Sequence, residues 1–368
     1  MRARRLSARR GAGTAAGRLA VLALALAAVV LLPGCYLLKQ GTYLFAYNAR
    51  AVSIERALQR QELEAEIESF LRLVREVRLF AVEELGLAAD KNYSRYVELE
   101  REYLVDVVAA AQPDSLTPHL WRFPLFGSFP YKGYYVRSDA LREARRLERK
   151  GLDVWVRKVD AFSTLGFFSD PVYSFMAGYS PFEIANLIIH EQTHATVFVK
   201  DQVQFNEELA TFVGWEGALE FLRSRFGEGS DEHRQAVDRL ADWQQFNRLL
   251  LGLYEELDRA YRQAPNRDEA LVAKQRLFEG FNRTVTRERF RTEAFQGFKG
   301  IPANNAYVLA AVNYFQDLEL FYRLHAAAGG DLRHTIEIVK EVASRRGDPK
   351  QALREAVEEL QGAVSERS

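Results

Sequence analysis

The chain has almost no cysteine: Cys35 is the sole one among 368 residues. That excludes an intramolecular disulfide, a cysteine-built zinc knot and an iron–sulfur cluster formed by this chain alone. It has no surplus of either charge, since Lys+Arg and Asp+Glu each total 50. Without a basic excess, nothing argues for nucleic acid as a partner. A linker rich in Gly, Ser or Pro that would separate two cores is missing, and so is an internal repeat. The one long apolar run, Leu19 to Leu32, is too short to span a bilayer comfortably. What remains is 48% hydrophobic and 27% charged, the composition of a folded globular protein that buries a substantial core without staples.

The apolar run follows Arg2, Arg4, Arg5, Arg9, Arg10 and Arg18, with no acid before it, and has the length of a signal-peptide core. It ends in Leu32-Pro33-Gly34-Cys35, where Pro and Gly break a helix that would have to continue through a membrane. A small residue before a lone cysteine at this place resembles the lipobox of bacterial lipoproteins. The resemblance implies cleavage before Cys35 and lipidation of its thiol, because two or more acyl chains anchor stably where one does not. Residues 1–34 are therefore expected to be a lipoprotein signal peptide and 35–50 a lipidated tether, with one folded domain over 51–368. The residue after the cysteine is Tyr36, not the aspartate associated with inner-membrane retention in such lipoproteins. A place on the outer membrane of a bacterial envelope, facing the periplasm, is the expectation.

Apolar residues at helical spacing, such as Leu63, Ile67, Phe70, Leu71, Val74 and Val77, predict amphipathic helix between about Ile54 and Val108, interrupted near Asp90–Tyr93. Prolines and aromatics between Gln112 and Tyr135 predict an irregular segment. A helix over about 138–150 and a strand over Asp153–Phe162, the only clear one, come next. Helices are expected at 181–200, 205–227, 231–262, 267–287, 303–327 and 331–345. The fold class is accordingly mainly α with a small β-sheet (α+β), in one helical domain.

Within the first of those later helices stands His190-Glu191-Gln192-Thr193-His194. Positions four apart share a helix face, so both imidazoles can bind one metal ion while Glu191 reaches a water beside it. Glu207 lies thirteen residues past His194, at the start of the next helix, with Ala210 three residues on. A small residue there lets the two helices approach until a carboxylate completes a His₂Glu set. Glu207 is the first candidate for the third ligand and Glu208 the second. Asn206-Glu207 with Ala210 resembles the Asn-Glu-x-x-Ala stretch of glutamate zincins, the thermolysin-like and aminopeptidase-N-like enzymes. Where the thermolysin-like pattern has a histidine-orienting aspartate, this chain has Thr211, so the orienting group must come from elsewhere.

Wider stretches carry a second resemblance: Val159 to Pro171, Phe205 to Val213, Pro130 to Tyr135 and Asn304-Asn305-Ala306-Tyr307. Together with the Gly34-Cys35 start, they resemble the bacterial predicted-aminopeptidase family of lipoproteins. The resemblance implies a zincin-like metallopeptidase fold and a zinc-dependent peptidase acting on peptide substrates. In that reading zinc polarises the scissile carbonyl and Glu191 is the general base. An oxyanion donor is also needed; Tyr307, Tyr314, Tyr173 and Tyr179 are available, and Tyr307 is put forward. The segment from Asp153 to Gly166 precedes the metal helix as a substrate-pairing edge strand does in zincins, or is a core strand with solvated Arg157 and Lys158, and Asp160 and Asp170 are candidates for binding a free amine. The Gly-x-Met-Glu-Asn element of aminopeptidase-N-like enzymes is absent. A rival reading is an envelope scaffold with a structural zinc.

Overall fold

The computed structural model describes residues 36, 38–60, 63–123, 127–159, 170–296, 298–312 and 315–365. Cys35, the signal-peptide segment, Asp160 and Tyr314 lie outside them. Helix α1 (38–50) leads into β1 (Val52–Ser53), α2 (Ile54–Leu58) and α3 (Ala65–Glu83). Helix α3 turns Phe70, Leu71, Val74 and Val77 inward, following the three-and-four spacing. Beyond it the chain does not return to helix. It forms β2 (Arg95–Val97) and β3 (Val105–Ala111), which corrects the expectation of helix as far as Val108. All seven residues of β3 are buried: a strand covered on both faces has no alternation, and its alanines are good helix formers, so periodicity misassigns it.

Three short strands, β4 (Trp121–Phe123), β5 (Gly127–Phe129) and β6 (Tyr131–Tyr134), occupy the segment expected to be irregular. Helix α4 (Arg137–Glu148) and β7 (Asp153–Val159) follow close to their predicted positions. Strand β3 is central in a three-stranded antiparallel sheet ordered β6-β3-β7. A second small sheet runs β1-β2-β8, with β8 at Val172–Tyr173, and β4 pairs with β5. The sheet content therefore exceeds the single strand expected.

A 3-10 turn (Ser174–Gly178) then delivers the chain to a helical half: α5 (Pro181–Thr196), α6 (Val203–Phe226), α7 (Asp231–Gln263) and α8 (Arg267–Val285). The short α9 (Glu293–Gln296) precedes α10 (Asn305–Val312), α11 (Leu318–Ala327), α12 (Leu332–Ser344) and α13 (Pro349–Ser365). The helix expected over 303–327 is thus two helices, and α13 is an addition. The main core gathers α3, α5, α6, α11, α12 and α13 around Leu71, Val74, Ile189, Phe212 and Phe321. A second core lies among α7, α8 and α10, around Leu250, Leu257 and Phe278. Mainly helical with small sheets, the chain has the α+β class anticipated. Among the described residues no helix is long and apolar enough to cross a membrane.

Candidate metal centre

Helix α5 starts where its sequence says it should. Ser180 caps it by accepting from the Glu183 amide, Glu183 reaches back to the Ser180 amide at 2.9 Å, and Pro181 fills the first turn. Ten and fourteen residues after the cap, the helix has carried His190 and His194 to one face. Helix α6 packs against that face at close range because two of its positions have no side chain. A Cβ at Gly214 would stand 2.6 Å from Asn186 Oδ1 and 3.2 Å from His190 Cβ, and one at Gly217 would stand 2.8 Å from Leu85 Cδ1. Ala210 is fully buried in the same contact.

This approach brings Glu207 to the histidines. Its two carboxylate oxygens lie 3.7 Å from His190 Nε2 and from His194 Nε2, respectively. The two Nε2 atoms are 3.2 Å apart, with the rings nearly perpendicular at 83°. One ligand atom from each of the three residues lies within 4.8 Å of the others, the group the described residues offer for a metal ion. Two nitrogens on one tetrahedral zinc, each at 2.0–2.1 Å, would be about 3.3 Å apart. The spacing found is close to that, and the donor set of two imidazoles and one carboxylate suits zinc.

Electrostatics distinguish the three groups. Burial disfavours an imidazolium at His190, yet Glu207 and Glu191 together hold its pKa above the ordinary value. His194 is driven down to about 4 by burial and by the charge on His190. Burial works to raise Glu207, but the histidines and Arg157 keep its carboxyl below the usual range. Burial lifts Glu191 above it, with Glu207 adding to the effect. Where Thr211 supplies no carboxylate, the main chain at Ala210 lies near enough to the His190 ring to favour its protonated form.

Glu208, the alternative ligand, faces away. It is wholly buried, accepts from the Asp317 amide and Gln204 at 2.9 Å, and pairs with Lys350 at 2.7 Å. Tyr307 stands edge-on to Trp155 of β7, with ring centroids 4.9 Å apart, and burial raises its phenol pKa. Tyr173 stacks on Phe175 in the main core. Asp170 is tied into the loop before β2, its carbonyl accepting from Tyr93 and its amide donating to Asn92. The Asn304-Asn305 pair is a latch: Asn304 donates to the Val154 carbonyl, while Asn305 donates to the Gln112 and Ser115 carbonyls and accepts from Tyr261.

Sequence reasoning missed Tyr93. It is buried, has a left-handed backbone (φ 53°), and feels the charge of Glu191 more than that of any other ionisable side chain. The sequence marks a break at Asp90–Tyr93 but not the burial of Tyr93 beside Glu191, which depends on tertiary packing. The glycines that set the helix spacing were also overlooked, although Gly214 and Gly217 stand in the middle of a long helix, where glycine costs stability and so needs a packing reason.

The profile of a family described as putative aminopeptidase matches residues 35–353. No curated protein and no solved structure matches the chain.

Proposed function

From membership of that aminopeptidase family, to which this chain belongs, we propose that it is a zinc-dependent peptidase that uses His190, His194 and Glu207 as ligands and Glu191 as general base. The observation carrying this reading is the convergence of three ligand atoms from α5 and α6. Three protein ligands, the number that the described residues bring together, are the donor set of a catalytic site, whereas a structural zinc is usually closed by a fourth. That favours an enzyme over the scaffold alternative.

Zinc bound there would supply Lewis acidity that polarises the scissile carbonyl and acidifies water. Glu191 takes a proton from the attacking water and delivers it to the leaving amine, and burial raises its pKa above the ordinary carboxylate value, the direction that strengthens a base. Strand β7 supports the binding of an extended peptide. It is the last strand of its sheet, and its Arg157 lies near enough to Glu207 to lower that carboxylate's pKa. The Val159 carbonyl accepts from Leu104 on the β3 side, and Val154's carbonyl on the other side is taken by Asn304. By alternation Val156 and Lys158 direct their main chain to the outer edge, where a substrate strand can pair. Tyr307, beside this strand, is the proposed donor to the oxyanion. The Cys35 lipid tether and the periplasm-facing outer-membrane location belong to the same reading and rest on the sequence.

The deciding experiment is peptide hydrolysis by Glu191→Gln and parent at equal zinc content. The variant is expected to retain zinc and lose at least a hundredfold in kcat. Equal activity in both would remove the general base, and inactivity of the parent across a varied peptide library would favour the scaffold.

A further inference from the structure

Away from the metal centre, a cavity of about 610 Å³ opens between the start of α1, strand β6 and helix α4. Its wall holds six cations: Lys39, Lys132, Arg142, Arg145, Arg146 and Arg149. Only two acids, Asp139 and Glu143, share the lining, which leaves a local excess of four positive charges. The excess comes from sequence geometry. Arg142, Arg145, Arg146 and Arg149 recur at three and four along α4 and so share one helix face, opposite the buried Ala140, Ala144 and Leu147.

The two acids are already engaged. Asp139 binds Lys39 and Arg142, and Glu143 accepts from Arg146 and from the Trp121 indole at 2.9 Å. Lys132 has no carboxylate within ion-pair distance among the described residues. Its ammonium sits 4.0 Å from the centroid of Tyr36 and 5.5 Å from that of Tyr134, a half-buried charge supported by aromatic faces. Tyr36 itself is fastened there, its hydroxyl donating to the Gly133 carbonyl at 2.5 Å. Tyr36 directly follows Cys35 in the chain.

We propose that this cavity binds the phosphate of anionic phospholipid headgroups, seating the domain on the membrane that holds its lipid anchor. The proposal extends the reading of Cys35 as the lipidated residue, because it needs the bilayer to lie at this end of the molecule. Cations at a membrane surface each contribute about 1 kcal/mol of attraction to anionic lipid. Four in excess, on one face, beside the residue next to the anchor, match that chemistry. Their clustering around a concave wall suits a single phosphate better than a flat stripe would.

The test is native mass spectrometry of the full-length mature protein in a neutral detergent, with phosphatidylglycerol or phosphatidylcholine added. The expected result is non-covalent retention of phosphatidylglycerol well above phosphatidylcholine. Arg145→Gln and Arg149→Gln should each reduce it roughly fivefold, and Lys132→Gln should reduce it where Lys132→Arg does not. Arg145 and Arg149 are exposed, so their variants test the site without endangering the fold. Glycerol phosphate is the second arm: if it displaces the lipid at equal concentration, the site is one for free phosphate esters and the membrane assignment fails. Equal retention of the two lipids, or retention unchanged in all three Gln variants, would overturn the proposal. The same spectra report the acyl mass on Cys35, so loss of the anchor reading is seen separately from loss of this site.

Discussion

The Lys350 ammonium lies 2.7 Å from the wholly buried carboxylate of Glu208, and this ion pair joins α13 to the second turn of α6. Lys350 also pairs with Asp317 at 2.5 Å, and the Asp317 amide donates to Glu208. The neighbour of a proposed metal ligand is thus held by a helix more than 140 residues further along the chain.

Removing the cation leaves a buried carboxylate without its counter-charge, which is costlier than removing both. Lys350→Met is expected to destabilise the protein by about 3 kcal/mol in urea unfolding. Glu208→Gln in the same background should recover part of the loss. Additive losses in that double variant would show that the two groups do not interact.

Gly214→Ala places a methyl group where Asn186 Oδ1 stands 2.6 Å away and His190 Cβ 3.2 Å away. The Asn186 amide must turn aside and the Asn186 carbonyl and His190 Cβ give way, at a cost of about 1–3 kcal/mol, which is expected to shift Glu207 from the histidines. Zinc affinity, read by competition with a chromophoric chelator, is expected to fall at least tenfold. An unchanged affinity would mean the contact does not set the ligand spacing.

If Tyr307 donates to the oxyanion, Tyr307→Phe should lower kcat by about a hundredfold while leaving zinc content and the Trp155 contact intact. A kcat within a factor of about two would confine the residue to packing and open the search to other donors near β7.

Glu143 carries a pH signature. Burial pushes its carboxyl up, but hydrogen bonds from Arg146 and Trp121 prevail and hold it at about 2. A carboxyl depressed in the folded state adds stability above its unfolded pKa and loses it as pH falls toward the folded one. The parent should therefore exceed Glu143→Gln in urea midpoint at pH 6, and the gap should close between about pH 4.5 and pH 2. A constant gap across that range would assign the difference to packing.

The candidate metal centre was legible because its geometry is local. Four-residue spacing on a helix fixes the His190–His194 relationship without tertiary information, and Glu207 needed only a second helix start and the small Ala210 nearby. Strand β3 was not legible: Val105-Asp106-Val107-Val108 followed by three alanines reads as helix until both faces are known to be covered. The break between α10 and α11 carries no Pro or Gly within residues 305–327. The partners of Asp317 at that break, Glu208 and Lys350, are tertiary. Helix α13 could have been read from Leu353, Ala356 and Val357, which recur at three and four and are buried. The influence of the Ala210 main chain on His190 comes from a backbone group and leaves no mark in residue identity at all.

At Gly214 the two helices approach until the Asn186 carbonyl and His190 Cβ would each lie 3.2 Å from an added Cβ, leaving no room for a side chain between the backbones. If the proposed zinc site is right, ligands referenced to this contact are positioned by packing of the two helices, and folding is expected to precede metal, in contrast to zinc fingers, whose chains are disordered until loaded. A cation taken up by the proposed site would then incur little ordering entropy.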